Sequence, residues 1–253
     1  MIKFFRQIRF KLMETGKTGK YLKYAIGEII LVVIGILIAL QINNWNEEKK
    51  GKAELNQYLS SLKENIKNDI IVLDSLVKRR EVAVAYCKKE QLNFLNETFN
   101  FEDTRNAFSA YVDFYFKSNT SGYDALKNSP YLGKINGTAL NNLINNYYEK
   151  IYQIAEVEKS YNEFVESLEA KQAYDFDRSL AMAYFFMSPE EFEETKATKD
   201  DIIEKFKESH NSAAFRNIVS QAVSLDRNII GPYKDAHTIG DDIITEIDKM
   251  IND

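Results

Sequence analysis

The chain has 253 residues and a formal net charge of −5, and it contains only 10 glycines and 3 prolines. So few helix breakers and turn formers favour long helices over a many-stranded β architecture. One cysteine and two histidines exclude a disulfide framework and argue against a Cys/His metal site, so we predict neither a metal nor a cofactor.

The charges are distributed unevenly along the chain. Residues 1–23 hold seven Lys or Arg and one acid, whereas residues beyond 42 hold 26 basic and 36 acidic side chains. We therefore predict three parts: a basic cytoplasmic head (1–23), a transmembrane helix (24–42) and an acidic extracytoplasmic helical bundle (43–253). The negative charge of the third part excludes nucleic acid as a partner on electrostatic grounds.

The head "MIKFFRQIRFKLM" has the pattern of a basic amphipathic helix, with Met1, Phe5, Ile8 and Leu12 on one face. Its basic side chains are predicted to contact the anionic lipids of the inner leaflet: Lys3, Arg6, Arg9 and Lys11. The alternative is a disordered basic tail that only sets the orientation of the span.

The 19 residues from Tyr24 to Ile42 carry one charge, and as a helix they span about 28 Å, close to the hydrocarbon thickness of a bilayer. Tyr21 and Tyr24 at one edge and Trp45 at the other are predicted to anchor the helix at the two interfaces. The long basic segment before the span and the absence of a small-x-small cleavage pattern favour an uncleaved signal anchor over a signal peptide. The positive charge before the span predicts a cytoplasmic N-terminus and an extracytoplasmic C-terminal domain, with the span in the inner (cytoplasmic) membrane. In a Gram-negative cell that domain would be periplasmic.

A carboxylate, Glu28, lies inside the span. On a helix it shares one stripe with Val32, Gly35 and Ala39, and Gly35-x-x-x-Ala39 is a small-x-x-x-small pair that allows close approach of another helix. We predict that this stripe is a helix–helix interface in the membrane and that the chain forms a homo-oligomer.

The segment "KYLKYAIGEIILVVIGILIALQINNWNEE", residues 20–48, resembles the opening of an uncharacterised single-span membrane protein family of flavobacteria and their relatives. The resemblance implies a Gram-negative envelope protein with a helical periplasmic region. It implies no catalytic residues.

The fold class predicted for the chain is all-α: the transmembrane helix continues into an elongated antiparallel helical bundle with coiled-coil-like seams. Two long amphipathic helices are predicted to pair in it, one from about Glu54 to Asn96 and one from Leu140 to about Met187. The seam of the first comprises Leu55, Leu59, Leu62, Ile66, Ile70, Leu73 and Val77. Shorter helices are predicted over residues 101–117, 200–208 and 211–229. Two more are predicted to begin at caps, one at Ser121 and Asp124 and one at a capping box of Ser188, Pro189 and Glu191. A last helix is predicted from Thr238 onward, after a break at Gly231-Pro232.

Three kinds of cluster are candidate sites, and each has a structural interpretation that we prefer. The aromatic runs Tyr111–Phe116 and Ala183–Met187 are predicted to fill the core rather than to line a ligand pocket. The acidic runs Pro189–Thr195 and Gly240–Asp248 are predicted to complement helix N-termini rather than to bind a divalent cation. His210 and His237 have no nucleophile motif near them in the sequence.

The predicted function is therefore that of a non-enzymatic single-pass envelope protein. It would oligomerise through its span and present a helical periplasmic domain to a ligand or to another inner-membrane or periplasmic protein. Two alternatives remain open: a subunit of a proton-motive-force-linked membrane complex that uses Glu28, and a periplasmic small-ligand sensor.

Overall fold

The computed structural model describes residues 10, 18–175 and 177–252. These residues fall into two compact units that divide between Gln57 and Tyr58. All regular structure in the described residues is helical, which confirms the predicted all-α class with one long apolar N-terminal helix and bundle-like helix packing. The domain boundaries proposed from the sequence, at residues 23 and 42, stay predictions.

Ten α-helices are described. They are α1 (Thr18–Leu95), α2 (Phe101–Ala107), α3 (Ser121–Lys127), α4 (Leu132–Ile135), α5 (Ala139–Asp175), α6 (Ser179–Phe186), α7 (Pro189–Glu193), α8 (Lys199–Asn211), α9 (Ala213–Val223) and α10 (Gly231–Asn252). A 3₁₀ turn at Phe108–Tyr111 follows α2, and a π-helical turn at Asp226–Ile230 precedes α10.

In the second unit, α1 buries one narrow seam whose side chains recur at steps of three and four residues. Its members are Leu59, Leu62, Ile66, Asp69, Leu73, Leu76, Arg80, Ala83, Cys87 and Glu90. This spacing repeats every seven residues, as in a coiled coil. The seam therefore passes through Asp69 and Leu76, whereas the predicted members Ile70 and Val77 are half-buried beside it.

The antiparallel neighbour of α1 is the last helix, α10. As α1 proceeds, its partners come from earlier positions: Lys63 contacts Asp248, Arg80 contacts Tyr233, and Lys88 contacts Asp226 in the π-helical turn before α10. The two helices approach closely at Gly240, where an added Cβ would lie 3.1 Å from side-chain carbons of both Ile66 and Ile70.

The sequence predicts that α1 pairs antiparallel with the second long helix, α5. In the structure α5 instead runs parallel to α1. Tyr147 bonds to Asp69, and Glu158 forms an ion pair with Arg80, so the two contacts share an offset of 78 residues. Parallel neighbours need a return connection, and residues 96–138 supply it.

Part of that connection is an irregular segment that we name the strap, residues 112–120. The sequence predicts a helix over 101–117, but helical structure ends with the 3₁₀ turn at Tyr111. Burial in the strap alternates, because Phe114, Phe116 and Ser118 face inward while Asp113, Tyr115 and Lys117 are exposed. An alternation with period two is that of an extended chain, which explains why the helical prediction fails here.

The predicted helix starts and stops are partly right. The capping box at Ser188 and Glu191, with Pro189 in the first turn, is present at α7. At α3 the cap is one residue earlier, because Thr120 rather than Ser121 binds Asp124. The second long helix ends at Asp175 and helical structure resumes at Ser179, so it does not run unbroken to Met187.

The prediction of a break at Gly231-Pro232 is wrong. Gly231 and Pro232 open α10, and the Gly231 N–H bonds to the Asp226 carbonyl across the π-helical turn. Proline is tolerated in a first turn because the N–H that it lacks has no intrahelical acceptor there. As α10 already contains Thr238, the acids of 240–248 lie inside a helix, and the interpretation that they complement a helix N-terminus is also wrong.

A smaller hydrophobic cluster surrounds Phe206 of α8. Its rings include Phe101, Phe108, Tyr184 and Phe185, whose centroids lie 5.1–5.7 Å from that of Phe206. The predicted core role therefore holds for Tyr184 and, in the other aromatic run, for Phe116, which is buried. It does not hold for Tyr115 and Phe186, which are exposed.

Candidate functional site

The apolar part of α1 in the first unit is the first candidate surface. Every Leu, Ile, Val and Tyr side chain from Leu22 to Ile42 is exposed. Burial of apolar surface contributes about 25 cal/mol per Å², so a helix that exposes this much of it is unfavourable in water. The helix is long and apolar enough to cross a bilayer, and such a helix near the N-terminus fits a membrane anchor.

The predicted stripe of Glu28, Val32, Gly35 and Ala39 lies on this helix at steps of four, three and four residues. Val32, Gly35 and Ala39 are exposed, and Glu28 is half-buried. At Gly35 an added Cβ would meet no atom within 4 Å, so the backbone there is open to an approaching surface.

The predicted interface anchors are only partly described. Tyr24 and Trp45 are exposed, and the Lys49 ammonium lies 5.5 Å from the centroid of the Trp45 ring. The side chain of Tyr21 lies outside the described part of the chain. Four further residues predicted from the sequence lie outside the described residues altogether: Lys3, Arg6, Arg9 and Lys11.

The second candidate site is a buried charge cluster in the second unit. Arg80 of α1 and Glu158 of α5 are each 1% exposed, with the Arg80 Nη2 atom 3.8 Å from Glu158 Oε1. The Arg80 guanidinium donates to the Phe114 carbonyl at 2.9 Å and to the Tyr233 hydroxyl at 3.1 Å. The Tyr233 hydroxyl in turn donates to Glu158.

This cluster joins the strap to three helices. Glu158 accepts the backbone N–H of Phe116 with both oxygens, at 2.9 and 3.1 Å. Burial raises the pKa of Glu158, and the bonds from Tyr233 and Phe116 and the charge of Arg80 oppose that rise. Burial also raises the pKa of the Tyr233 hydroxyl. The tyrosine therefore acts here as a neutral donor.

A second buried acid, Asp69, holds the other end of the strap. It accepts the Asn119 backbone N–H at 3.1 Å, the Tyr147 hydroxyl at 3.1 Å and the Ser118 hydroxyl. Burial, with the charge of Asp69, raises the pKa of Tyr147. Asn65, one turn earlier, accepts the Gly122 N–H at 2.7 Å where the strap enters α3.

A third buried acid, Glu90, lies at the far end of the α1 seam. It accepts from the Thr104 hydroxyl at 2.7 Å and from Asn93 at 3.0 Å, and its Oε1 lies 2.8 Å from Nδ1 of His210. The His210 ring packs against Phe94 and Phe99. His237 lies apart from this group, 3.5 Å from Asp74 and 3.3 Å from Asp241.

The hydrogen-bonding groups of the buried clusters are used within the protein, chiefly to bind the backbone of the strap. The strap is extended but belongs to no sheet, and buried backbone groups must be satisfied by some partner. Side chains of α1 and α5 supply the bonds that a neighbouring strand would otherwise make. Within the described residues, no group of three or more His, Cys, Asp or Glu side chains has a geometry that could hold a metal ion.

The spacing of residues in the sequence indicates these buried charges, although the predicted seam includes only apolar residues. Asp69, Arg80 and Glu90 continue the seven-residue repeat that Leu59, Leu62, Ile66 and Leu73 define. A charged residue on the apolar seam of a long helix indicates a buried polar contact. Their partners on α5 and in the strap were not predictable, because they depend on the direction of α5.

The fold, the exposed apolar helix and the buried charge clusters together define the class of this protein. It is an all-α protein with an apolar, anchor-like helix and a helical bundle held by buried charges. The chain belongs to a family of unknown function, DUF6090, whose model matches residues 28–182. The match begins at Glu28 and includes Asp69, Arg80, the strap and Glu158, but not α8 or α10. No curated protein and no solved structure matches the chain.

Proposed function

We propose that the chain is a non-enzymatic single-pass protein of a Gram-negative envelope, of the kind expected in flavobacteria and their relatives. It associates through its span and presents its helical bundle to partners in the periplasm. The observation that carries the proposal is the exposure of every Leu, Ile, Val and Tyr side chain from Leu22 to Ile42 together with the open backbone at Gly35. The hydrocarbon of a lipid bilayer would cover the apolar side chains, and a neighbouring span would pack against the backbone at Gly35.

The proposed orientation has the N-terminus in the cytoplasm, with Lys3, Arg6, Arg9 and Lys11 at the inner leaflet. Alkaline phosphatase fused after Asp253 should therefore be active, because this enzyme folds only outside the cytoplasm. Replacing the four basic residues by glutamine should lower that activity, since positive charge before the span retains the N-terminus inside. An inactive fusion on the unaltered chain contradicts this orientation.

The stripe on the span predicts the effect of adding bulk at one glycine. Gly35→Leu should weaken self-association of the full chain in detergent about tenfold, because the larger side chain keeps the helix backbones apart. Gly27→Leu is the matched control: its Cβ also meets no atom within 4 Å, but Gly27 lies about 110° around the helix from the stripe. Light-scattering mass over a protein dilution series measures both.

Glu28→Gln separates an assembly role from proton chemistry. If the stripe serves assembly, the amide retains hydrogen bonding and the mass should change less than in Gly35→Leu. A chain that keeps its assembly but loses its cellular phenotype would instead support a proton-linked complex. Equal masses for Gly35→Leu, Gly27→Leu and the unaltered chain would overturn the proposed role of the stripe.

A further inference from the structure

The strap presents one edge of extended backbone that the chain leaves without a partner. Consecutive residues of an extended chain direct their N–H and C=O groups to opposite edges. Phe114 and Phe116 use one edge, bonded to Arg80 and Glu158. Within residues 18–175 and 177–252, no hydrogen bond satisfies the backbone groups of Asp113, Tyr115 and Lys117, which face the other edge.

The extended conformation of this segment is fixed in advance. Arg80 and Glu158, both buried, hold the strap at Phe114 and Phe116. Asp69 then binds Asn119, where the chain leaves the extended run and enters α3. An incoming strand would therefore not have to order the strap, and that ordering is a large part of the cost of binding. Adding a strand to an exposed edge is a recurring mode of recognition, in which backbone bonds give the affinity.

The charges on the strap indicate which strand fits. When two copies of the strap pair antiparallel with Tyr115 opposite Tyr115, Asp113 of each copy lies opposite Lys117 of the other. All three side chains are exposed, and neither Asp113 nor Lys117 forms an ion pair within the described residues. Opposite charges directly across an antiparallel pair are stabilising, and like charges are destabilising. The segment is self-complementary under a two-fold axis through Tyr115.

We propose that the strap is a homotypic docking edge, at which a second copy of this chain adds its own strap as an antiparallel strand in the register that pairs Asp113 with Lys117. The proposal extends the proposed self-association from the span to the second unit. It differs in its residues and can be tested separately.

A cysteine at the two-fold position gives the most direct readout. In this register the two Tyr115 residues form a hydrogen-bonded pair with Cα atoms about 5.5 Å apart, within the range that a disulfide bridges. Purified full-length Tyr115→Cys in detergent, treated with copper phenanthroline, should form a covalent dimer. Native Cys87 is fully buried and its pKa is raised to about 12 by burial and the nearby Glu90, so its thiol does not compete.

Tyr152→Cys is the matched control for random collision. Tyr152 is more exposed than Tyr115, 66% against 56%, and belongs to α5 rather than to the strap. It should crosslink at least tenfold less.

Charge reversal tests the register. In the Tyr115→Cys chain, Asp113→Lys or Lys117→Asp alone places like charges opposite each other at both ends of the pair and should lower the crosslinking yield about tenfold. The double variant Asp113→Lys/Lys117→Asp restores both opposite-charge pairs and should restore the yield. The circular-dichroism spectra of all variants should match, because the altered side chains are exposed.

Three outcomes overturn the proposal: no crosslink in the Tyr115→Cys chain, equal yields in all charge variants, or crosslinking in native membranes only to a different protein. Repeating the series in the Gly35→Leu background separates the two interfaces. Crosslinking that survives there while the unlinked mass falls supports both. Crosslinking absent in both backgrounds, with the effect of Gly35→Leu on mass intact, rejects the strap edge and leaves the proposed function standing.

Discussion

Arg80→Met should lower the free energy of unfolding by about 3–5 kcal/mol, the range expected when one member of a buried ion pair is removed and the other is left uncompensated. Methionine retains most of the packing of the arginine stem but none of its donors. Glu158 then loses its counter-charge, and the Phe114 carbonyl loses its bond from the guanidinium. Urea unfolding of the full chain in detergent, followed by circular dichroism, measures the change.

Lys88→Met is the matched control for Arg80→Met. Lys88 lies on the same helix as Arg80 and forms an ion pair with Asp226 at 3.2 Å, but both side chains are more than half exposed. Its removal should cost less than about 1 kcal/mol. Equal losses for the two variants would show that the Arg80 pair is not specially costly to break.

The cost of Arg80→Met should also depend on pH. Burial raises the pKa of Glu158, so its folded-state pKa lies above its unfolded value. Such a group contributes stability that is fully present below the unfolded pKa and is lost as pH rises through the folded pKa. Without the charge of Arg80, the pKa of Glu158 in the folded chain rises further, and ionising this buried carboxyl at high pH costs more stability. The variant should therefore lose less stability at pH 5 than at pH 8.

Gly122→Ala should destabilise the second unit by about 1–3 kcal/mol, the usual cost of forcing extra volume into a packed site. The new Cβ would lie 2.7 Å from both Asn65 Oδ1 and Leu62 N, and 2.8 Å from Leu62 Cα. Two of these atoms belong to the α1 backbone and cannot rotate away. The same urea titration measures the loss.

Gly133→Ala tests whether the cost at Gly122 reflects contact with α1. Gly133 is exposed in α4, and its Cβ would meet no atom within 4 Å. Alanine is favoured over glycine in a helix by roughly 0.5–1 kcal/mol, so this variant should be neutral or slightly more stable. A loss at Gly133 as large as that at Gly122 would contradict the steric account.

The helices were predictable because their apolar spacing is a local property of the sequence. The seam of α1 and the capping box of α7 follow from residues only three or four positions apart. The direction of α5 was not predictable, since an apolar stripe packs equally well against a parallel or an antiparallel neighbour. Only contacts such as Tyr147 with Asp69, far apart in the chain, decide between them.

The strap shows a different reason for failure. The run Asp113, Phe114, Tyr115, Phe116, Lys117 alternates charged or amphipathic side chains with phenylalanine, which is the pattern of an extended chain. That signal was outweighed by the helical periodicity on either side. The π-helical turn before Gly231 was missed because a Gly-Pro pair usually ends a helix, whereas here it begins one. The stripe on the span and the basic head stay predictions.

The late position of α10 in the chain has a consequence for synthesis. Lys63 meets Asp248, 185 residues further along, and Gly240 of the same helix lies against Ile66 and Ile70. At about 5–20 residues per second, the seam of α1 waits roughly 10–40 seconds for its last covering helix. During that interval an apolar seam that also carries three charges is open to wrong partners. Until α10 has been made, the side of the α1 seam that it covers therefore stays exposed.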